Sequence, residues 1–409
     1  MIFSSFIIIP YKVKKINSII LIWFYSDQGW SRRFSSSMAL IYRQNHPLPL
    51  NQLKTMSAIE SCRSSRLGGH VDECDSCGHV RVSYNSCRNR HCPKCQGLAK
   101  EQWLLERDRD LLEVGYFHVV FTVPDSLNLL ALQNQKVLYS LLFKAASETL
   151  VELSRDPKYL GAEIGFISVL HTWGQNLMDH PHLHCIVPGG GLSFDGTRFV
   201  PSRKKFFIPV KVLSRKFRGK FLAFLKEAFQ DGLLVFHGII KPLSGKLNFQ
   251  KLIDDLYKTE WVVFCKKPFK SPWHVLRYLG RYTHRVAISN QRIVSLQNDQ
   301  VTFTWRDYKD DNKTKLMTIE VSEFIRRFLL HVLPSRFVKI RHYGILSNRN
   351  RNVKLRLCQR LTFSKIRAFQ KLSAVELLLK LTGLDLRVCP LCGAGTMIRK
   401  FNLDPKFST

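Results

Sequence analysis

The sequence predicts an α+β chain. Three observations carry that expectation: β-branched and aromatic runs alternate with amphipathic helical stretches through the middle, a cysteine- and histidine-rich module precedes them, and a strongly basic, largely helical region follows. The expected segments are an atypical leader at 1–37, a cysteine- and histidine-rich module at 38–100, a central α/β region at 101–300 and a basic region at 301–409. With 409 residues, 45% of them hydrophobic and 23% charged, the chain can bury a core without disulfides. That composition excludes a disordered chain, a collagen-like fibre and a small disulfide scaffold. Lys and Arg number 63 against 31 Asp and Glu, a net charge of +32. Such an excess calls for a polyanionic partner, nucleic acid before an anionic membrane surface.

Residues 1–37 read differently from the rest. Phe6–Ile9 and Ile16–Phe24 are apolar but broken by Pro10, Lys12, Lys14 and Lys15, and both are too short to span a membrane. They read as an extension ahead of a start at Met38, with no membrane partner. The next module holds five cysteines from Cys74 to Cys95. Cys74/Cys77 and Cys92/Cys95 are CxxC pairs separated by fourteen residues, so these four are expected to share one tetrahedral Zn²⁺. Cys62, His70, Cys87 and His91 are candidates for a second zinc, with packing as their ordinary alternative. Arg81, Arg88, Arg90 and Lys94 make the module basic.

In the central region, Gln102–Leu112 has helical spacing, Tyr116–Val123 reads as a strand ended by Pro124, and Lys136–Leu153 reads as an amphipathic helix. Phe166–Thr172 and Pro181–Val187 read as strands joined by turn chemistry at Gly174–Asp179, hence as a hairpin. Alternation puts His182 and His184 on one face of the second strand, where two imidazoles can chelate a divalent ion. The hairpin brings His171 in as third ligand, with Gln175 in reserve and His180 of uncertain direction.

Downstream, Val275, Leu276 and Leu279 suit the buried stripe of a helix. Tyr278 and Tyr282 stand one turn apart on it, flanked by Arg281 and Arg285. A phenol can attack a phosphodiester and hold one DNA end covalently. Only about 0.1% of a free phenol is ionised at pH 7, so such a site needs cations or a base. The metal and the two guanidinium groups meet that need. The tyrosines' commoner use is packing with wet hydroxyls.

From Val321 to Lys400 there are 17 Lys and Arg against 3 Asp and Glu, which reads as a phosphate-binding surface. Tyr343 is either a platform for an unpaired base or a core residue. Cys389 and Cys392 form a further CxxC knuckle with only two obvious thiols, to which Cys358 is a candidate addition.

These motifs resemble, in order and over roughly 42–397, the two-tyrosine HUH rolling-circle transposases of the insertion sequence 91 family. The match is carried by Leu67–His70 leading to Cys74 and Cys77, Ser86–Cys95, His118–Pro124, His182-Leu183-His184 and Tyr278-Leu279-Gly280-Arg281-Tyr282. Glu323–Phe328, His331–Pro334 and Arg341–Gly344 extend it. The resemblance implies the HUH endonuclease fold, a central antiparallel sheet flanked by helices, with the tyrosine helix facing the histidine strand. It implies 5′-phosphotyrosine links to single-stranded DNA at element ends and target, with Mg²⁺ or Mn²⁺ as working ion and no nucleotide. No GxxxxGK[ST] loop occurs, so unwinding would fall to a host helicase. The implied setting is the nucleoid of a bacterial cytoplasm. Two other readings stay open: a rolling-circle replication initiator, and a zinc-dependent DNA-binding protein that no longer cuts.

Overall fold

Two periodicities, a strand alternation of two and a helical stripe of about 3.6, set which face each strand and helix turns toward the histidines. The computed structural model describes residues 36–203, 208–269, 274, 275, 278, 280, 283, 284, 287–289, 292–307, 310–368 and 371–406. Expectations for 1–35 lie outside these.

The described chain begins with helices α1 (Ser36–Asn45) and α2 (Leu50–Ser61) and the hairpin β1 (Gly69–Cys74) and β2 (Val80–Tyr84). Helix α3 (Gln96–Asp108) starts six residues before the expected Gln102. The Cys92–Cys95 turn leads straight into it, with the Gln96 N–H on the Cys92 carbonyl at 3.3 Å.

Then come β3 (Tyr116–Thr122), α4 (Asn128–Gln133), α5 (Gln135–Arg155), β4 (Gly165–Trp173), β5 (Asp179–Pro188), the small pair β6 (Gly190–Leu192) and β7 (Phe199–Pro201), α6 (Val210–Gln230), α7 (Lys246–Lys258) and β8 (Val263–Phe269). A meander of β9 (Ile293–Gln297), β10 (Gln300–Asp307) and β11 (Lys313–Glu320) follows. Its first turn is the two-residue Asn298-Asp299, both at positive φ, as a hairpin matched to strand twist requires. Next are α8 (Val321–Leu330), β12 (Ile340–Gly344) and α9 (Arg356–Leu361). Last come α10 (Ala374–Thr382), opened by a Ser373/Glu376 capping box and closed by left-handed Gly383, and β13 (Met397–Leu403).

The five-stranded central sheet has the order β12-β4-β5-β3-β8, and every neighbouring pair is antiparallel. Its two faces are different. Phe117, Val119, Phe121, Phe166, Leu170, Leu183, Cys185 and Val187 point to one face, where α5 and α6 cover them with Leu142, Phe143, Phe217 and Phe221. At roughly 1.5–3 kcal/mol per buried apolar side chain, this layer dominates the stability, and Phe121→Ala should cost about 3–5 kcal/mol. Ile167, Val169 and Ile186 point to the other face and pack with Val275 and Tyr278. The histidines stand on that second face.

Among the described residues, one compact unit takes 36–48, 53–102 and the segment from 371 on, and the other takes 49–52 and the segment from 103 to 368, so a division falls at 102/103, close to the expected 100/101, and none falls at 300/301. The reason is strand pairing. β13 hydrogen-bonds to β1, and β12 is an edge strand of the central sheet against β4. Among the described residues no helix is long and apolar enough to cross a membrane.

Candidate active site and metal centres

In the antiparallel register His171 lies directly opposite His182, and Val169 opposite His184. The expected hairpin therefore brings all three imidazoles together, with one ligand nitrogen from each lying within 4.8 Å of the others. The Nε2 atoms of His182 and His184 are 3.1 Å apart. Two bonds of about 2.1 Å at a right angle separate their donors by about 3.0 Å, so the pair fits adjacent positions on one divalent ion. His182 Nδ1–H donates to the His180 carbonyl at 2.6 Å, which leaves Nε2 with its lone pair. Burial pushes His182 down to about 4 and His184 well below its ordinary value. Neutral imidazoles are the form a metal needs. Trp173 stacks on His171 with ring centroids 4.5 Å apart.

His118, from the neighbouring strand β3, completes the face. Its Nε2 is 2.8 Å from His184 Nδ1, and its Nδ1 is 3.1 Å from the hydroxyl of Tyr278. Burial, reinforced by Lys266, drives His118 down to about 3. Tyr278 is helical and half-buried, its ring edge-on to His118 at 4.9 Å. The nucleophile candidate is thus joined to the metal candidate through one imidazole. Tyr282, Arg281 and Arg285 lie outside the described residues. Buried His331 pins the hairpin turn, with Nδ1 3.1 Å from the Thr172 hydroxyl and Nε2 2.9 Å from the Leu177 carbonyl.

Gln175 offers its backbone carbonyl to Arg292 and is outside the histidine group. His180 faces Asp125, at 3.5 Å. Tyr343 is half-buried and packs against the core, stacked on Phe166 at 4.8 Å. Cys358 is fully buried among apolar side chains.

The expected cysteine sets are not the observed ones. Cys92 and Cys95 gather with Cys62 and Cys87, while Cys74 and Cys77 gather with Cys389 and Cys392. The reason is the length of β2. Its five residues carry the chain about 17 Å from the Cys74–Cys77 turn before Cys87 is reached, so the two CxxC pairs sit at opposite ends of the hairpin. His70 lies 3.5 Å from Asp72, and His91 takes the Arg90 guanidinium N–H at 3.3 Å. Neither histidine joins a cysteine cluster among the described residues. In the first cluster Cys95 Sγ is 3.6 Å from both Cys62 and Cys87. Hydrogen bonds from Cys62, Cys87 and Cys92 hold the Cys95 thiol far below its usual range, and the same three-way crowding pushes Cys92 up. Zinc–sulfur bonds of about 2.3 Å set tetrahedral sulfurs about 3.8 Å apart, so this cluster fits the ion.

Comparison with known proteins supports a zinc-binding domain in a transposase. A family described as "Transposase zinc-binding domain" matches residues 34–123, and one described as "Putative transposase" matches 165–354. The chain is 51% identical over 362 residues to "Putative transposase y4qJ" of Sinorhizobium fredii, covering 87% of this chain and 91% of that one. The chain belongs to the insertion sequence 91 family of transposases. It is also 28% identical over 304 residues to the transposase for insertion sequence element IS801 of Pseudomonas savastanoi pv. phaseolicola, covering 73% and 71% of the two chains. No solved structure matches.

The transposase thus carries a zinc-binding domain, and all four members of the first cysteine cluster fall within it. His171, His182, His184 and Tyr278 fall within the second matched region. His118 lies outside that region and was not among the sequence candidates. Its signal was there: it is the one polar side chain in the middle of the apolar strand Tyr116–Thr122.

Proposed function

We propose that this transposase nicks and rejoins single-stranded DNA through 5′-phosphotyrosine intermediates, in a rolling-circle route. The observation that carries the reading is the hydrogen-bonded line from Tyr278 through His118 to His184. His171, His182 and His184 would hold Mg²⁺ or Mn²⁺, an ion that polarises the non-bridging phosphate oxygens when bound. Three imidazole donors favour Mn²⁺ of the two.

One proton per neutral ring fixes the direction of the hydrogen bonds. A His184 that presents Nε2 to the ion carries its proton on Nδ1 and donates it to His118 Nε2. The single proton of His118 then sits on Nδ1 and is donated to the Tyr278 oxygen. His118 is therefore a donor to the nucleophile and not its base. That hydrogen bond favours phenolate over phenol, and it stabilises the phenolate that departs on rejoining. In the forward step the Tyr278 oxygen bonds to phosphorus and the bond from phosphorus to the 3′ oxygen breaks. The phenolic proton is lost to solvent and the departing 3′ oxygen takes one up. Arg281 and Arg285 would offset charge on the phosphate, and Tyr282 would serve the second strand.

Cys62, Cys87, Cys92 and Cys95 would hold a structural zinc. That zinc would display Arg88, Arg90 and Lys94 toward DNA phosphates, while strand separation falls to a host helicase. The test uses 3′-labelled single-stranded oligonucleotides covering the DNA that flanks the gene, since a 5′-phosphotyrosine retains the 3′ fragment. With Mn²⁺, a covalent band is expected from the parent and from Tyr278→Phe or Tyr282→Phe alone, and none from the double variant. A parent that binds the DNA and never forms the band contradicts the reading.

A further inference from the structure

The second cysteine cluster draws its members from opposite ends of the chain. Cys74 Sγ is 3.7 Å from Cys392 Sγ, Cys77 Sγ is 3.7 Å from Cys389 Sγ, and all four sulfurs lie within 4.8 Å of one another. The matched zinc-binding domain ends at residue 123 and contains only half of this set.

The two halves are copies of one turn. Each reads Cys-x-x-Cys-Gly, as Cys74-Asp75-Ser76-Cys77-Gly78 and Cys389-Pro390-Leu391-Cys392-Gly393. Both glycines are left-handed, at φ +69° and +70°. Each donates its N–H to the carbonyl of the first cysteine, at 3.1 and 3.0 Å. In each, the amide two residues after the first cysteine donates to that cysteine's sulfur at 3.4 Å, from Ser76 and from Leu391. Amide donors aimed at sulfur stabilise thiolate, the form that ligates zinc.

The backbone holds the halves together. β13 pairs with β1 from Gly69↔Leu403 to Cys74↔Met397. Thr396 N–H donates to the Asp75 carboxylate at 2.8 Å, and Asp75 N–H donates to the Thr396 carbonyl at 3.1 Å. Gly395 lies against Cys74 Sγ so closely that a Cβ would stand 2.4 Å from it. Met397 covers Cys74 and Cys389 from solvent. Sulfurs at 3.7 Å match the roughly 3.8 Å edge of a zinc–thiolate tetrahedron, whereas disulfide sulfurs stand at about 2 Å.

We propose that Cys74, Cys77, Cys389 and Cys392 hold a second zinc, a clasp that closes the C-terminal end of the chain onto the N-terminal module. The site is complete only when residues 389–392 have been made, so the first unit gains its second zinc after the rest of the chain exists. The clasp does not depend on the nicking chemistry.

The experiment is zinc released from the full-length protein by an organomercurial, which frees thiolate-bound metal, together with iodoacetamide footprinting read by mass spectrometry. The parent is expected to release two zinc per chain with all eight clustered cysteines protected. Cys389→Ser with Cys392→Ser is expected to release one, with Cys74 and Cys77 alkylated and Cys62, Cys87, Cys92 and Cys95 still protected. If that variant does not fold, the parent alone decides. One zinc per chain with Cys74, Cys77, Cys389 and Cys392 alkylated or disulfide-linked overturns the proposal. So does a folded variant that keeps two.

Discussion

The histidine centre and the cysteine clasp are both built beside antiparallel strands, but they gather their residues in opposite ways. His171, His182 and His184 come from one hairpin, and His118 from the strand beside it. The clasp joins residues 74 and 77 to residues 389 and 392. Strand alternation fixes a face locally, so a ligand set within one hairpin follows from spacing. A pair of thiols states only that it wants two more, and spacing does not say where they lie. The two centres should therefore respond differently to substitution.

The largest separation comes from His182→Ala with His184→Ala. Loss of several kcal/mol of transition-state stabilisation should lower covalent-adduct formation by at least about 10³-fold. Mercurial-released zinc should be unchanged, since the thiolate centres are in a different unit of the chain. A parallel loss of both would show that the histidine change unfolds the protein.

His118→Ala sharpens the comparison within the histidine centre. Removing a donor to a developing oxyanion typically costs about 10²-fold in rate, and removing the partner that orients a ligand weakens metal binding by about tenfold. Adduct rate and Mn²⁺ affinity, measured separately, should both fall. An unaltered rate at saturating Mn²⁺ would reduce His118 to an orienting partner of His184.

A smaller effect is expected from Cys392→Ser, which removes one clasp ligand and leaves the β1–β13 ladder intact. Melting of the first unit should drop by about 5 °C or more, with adduct formation on short oligonucleotides nearly unchanged. An unchanged melting temperature would mean that no ion strengthens the ladder.

The smallest is a pH effect on the covered face of the same sheet. Asp179 is buried on β5, and burial alone pushes its carboxyl up to about 7. The folded state therefore holds a proton that the unfolded chain releases near pH 4, so stability falls as pH rises from about 4 to 7. Asp179→Asn should stabilise the protein at pH 8, by roughly 1–2 kcal/mol in urea titrations, and make little difference at pH 4. Equal effects at both values would exclude a buried carboxylate as the cause.

Much of the site was legible because its signals are periodic. Three strands and the hairpin follow from β-branched and aromatic runs bounded by turn residues, and His171 was placed by the hairpin alone. The long helix α5 starts and ends within two residues of its expected bounds. What was not legible depends on tertiary pairing. The membership of β12 in the central sheet and of β13 beside β1 has no local signature, which is why 301–409 reads as one region and is not. The cysteine sets could have been sorted by the residue after each pair. Gly78 and Gly393 permit the left-handed knuckle, whereas Gln96 after Cys95 begins a helix. His118 entered only as the first residue of the motif His118–Pro124, because a single histidine in an apolar strand does not by itself mark a site.

The most direct test of the account is to find where DNA is attached. The covalent adduct, trimmed with nuclease and digested with trypsin, separates the two phenols. Cleavage after Arg277, Arg281 and Arg285 places Tyr278 in a peptide ending at Arg281 and Tyr282 in the next. The account predicts nucleotide mass on the Tyr278–Arg281 peptide in the parent and in Tyr282→Phe, absent from Tyr278→Phe. An adduct found only on the Tyr282 peptide, or on neither, would contradict the assignment of Tyr278 as the nucleophile held by His118.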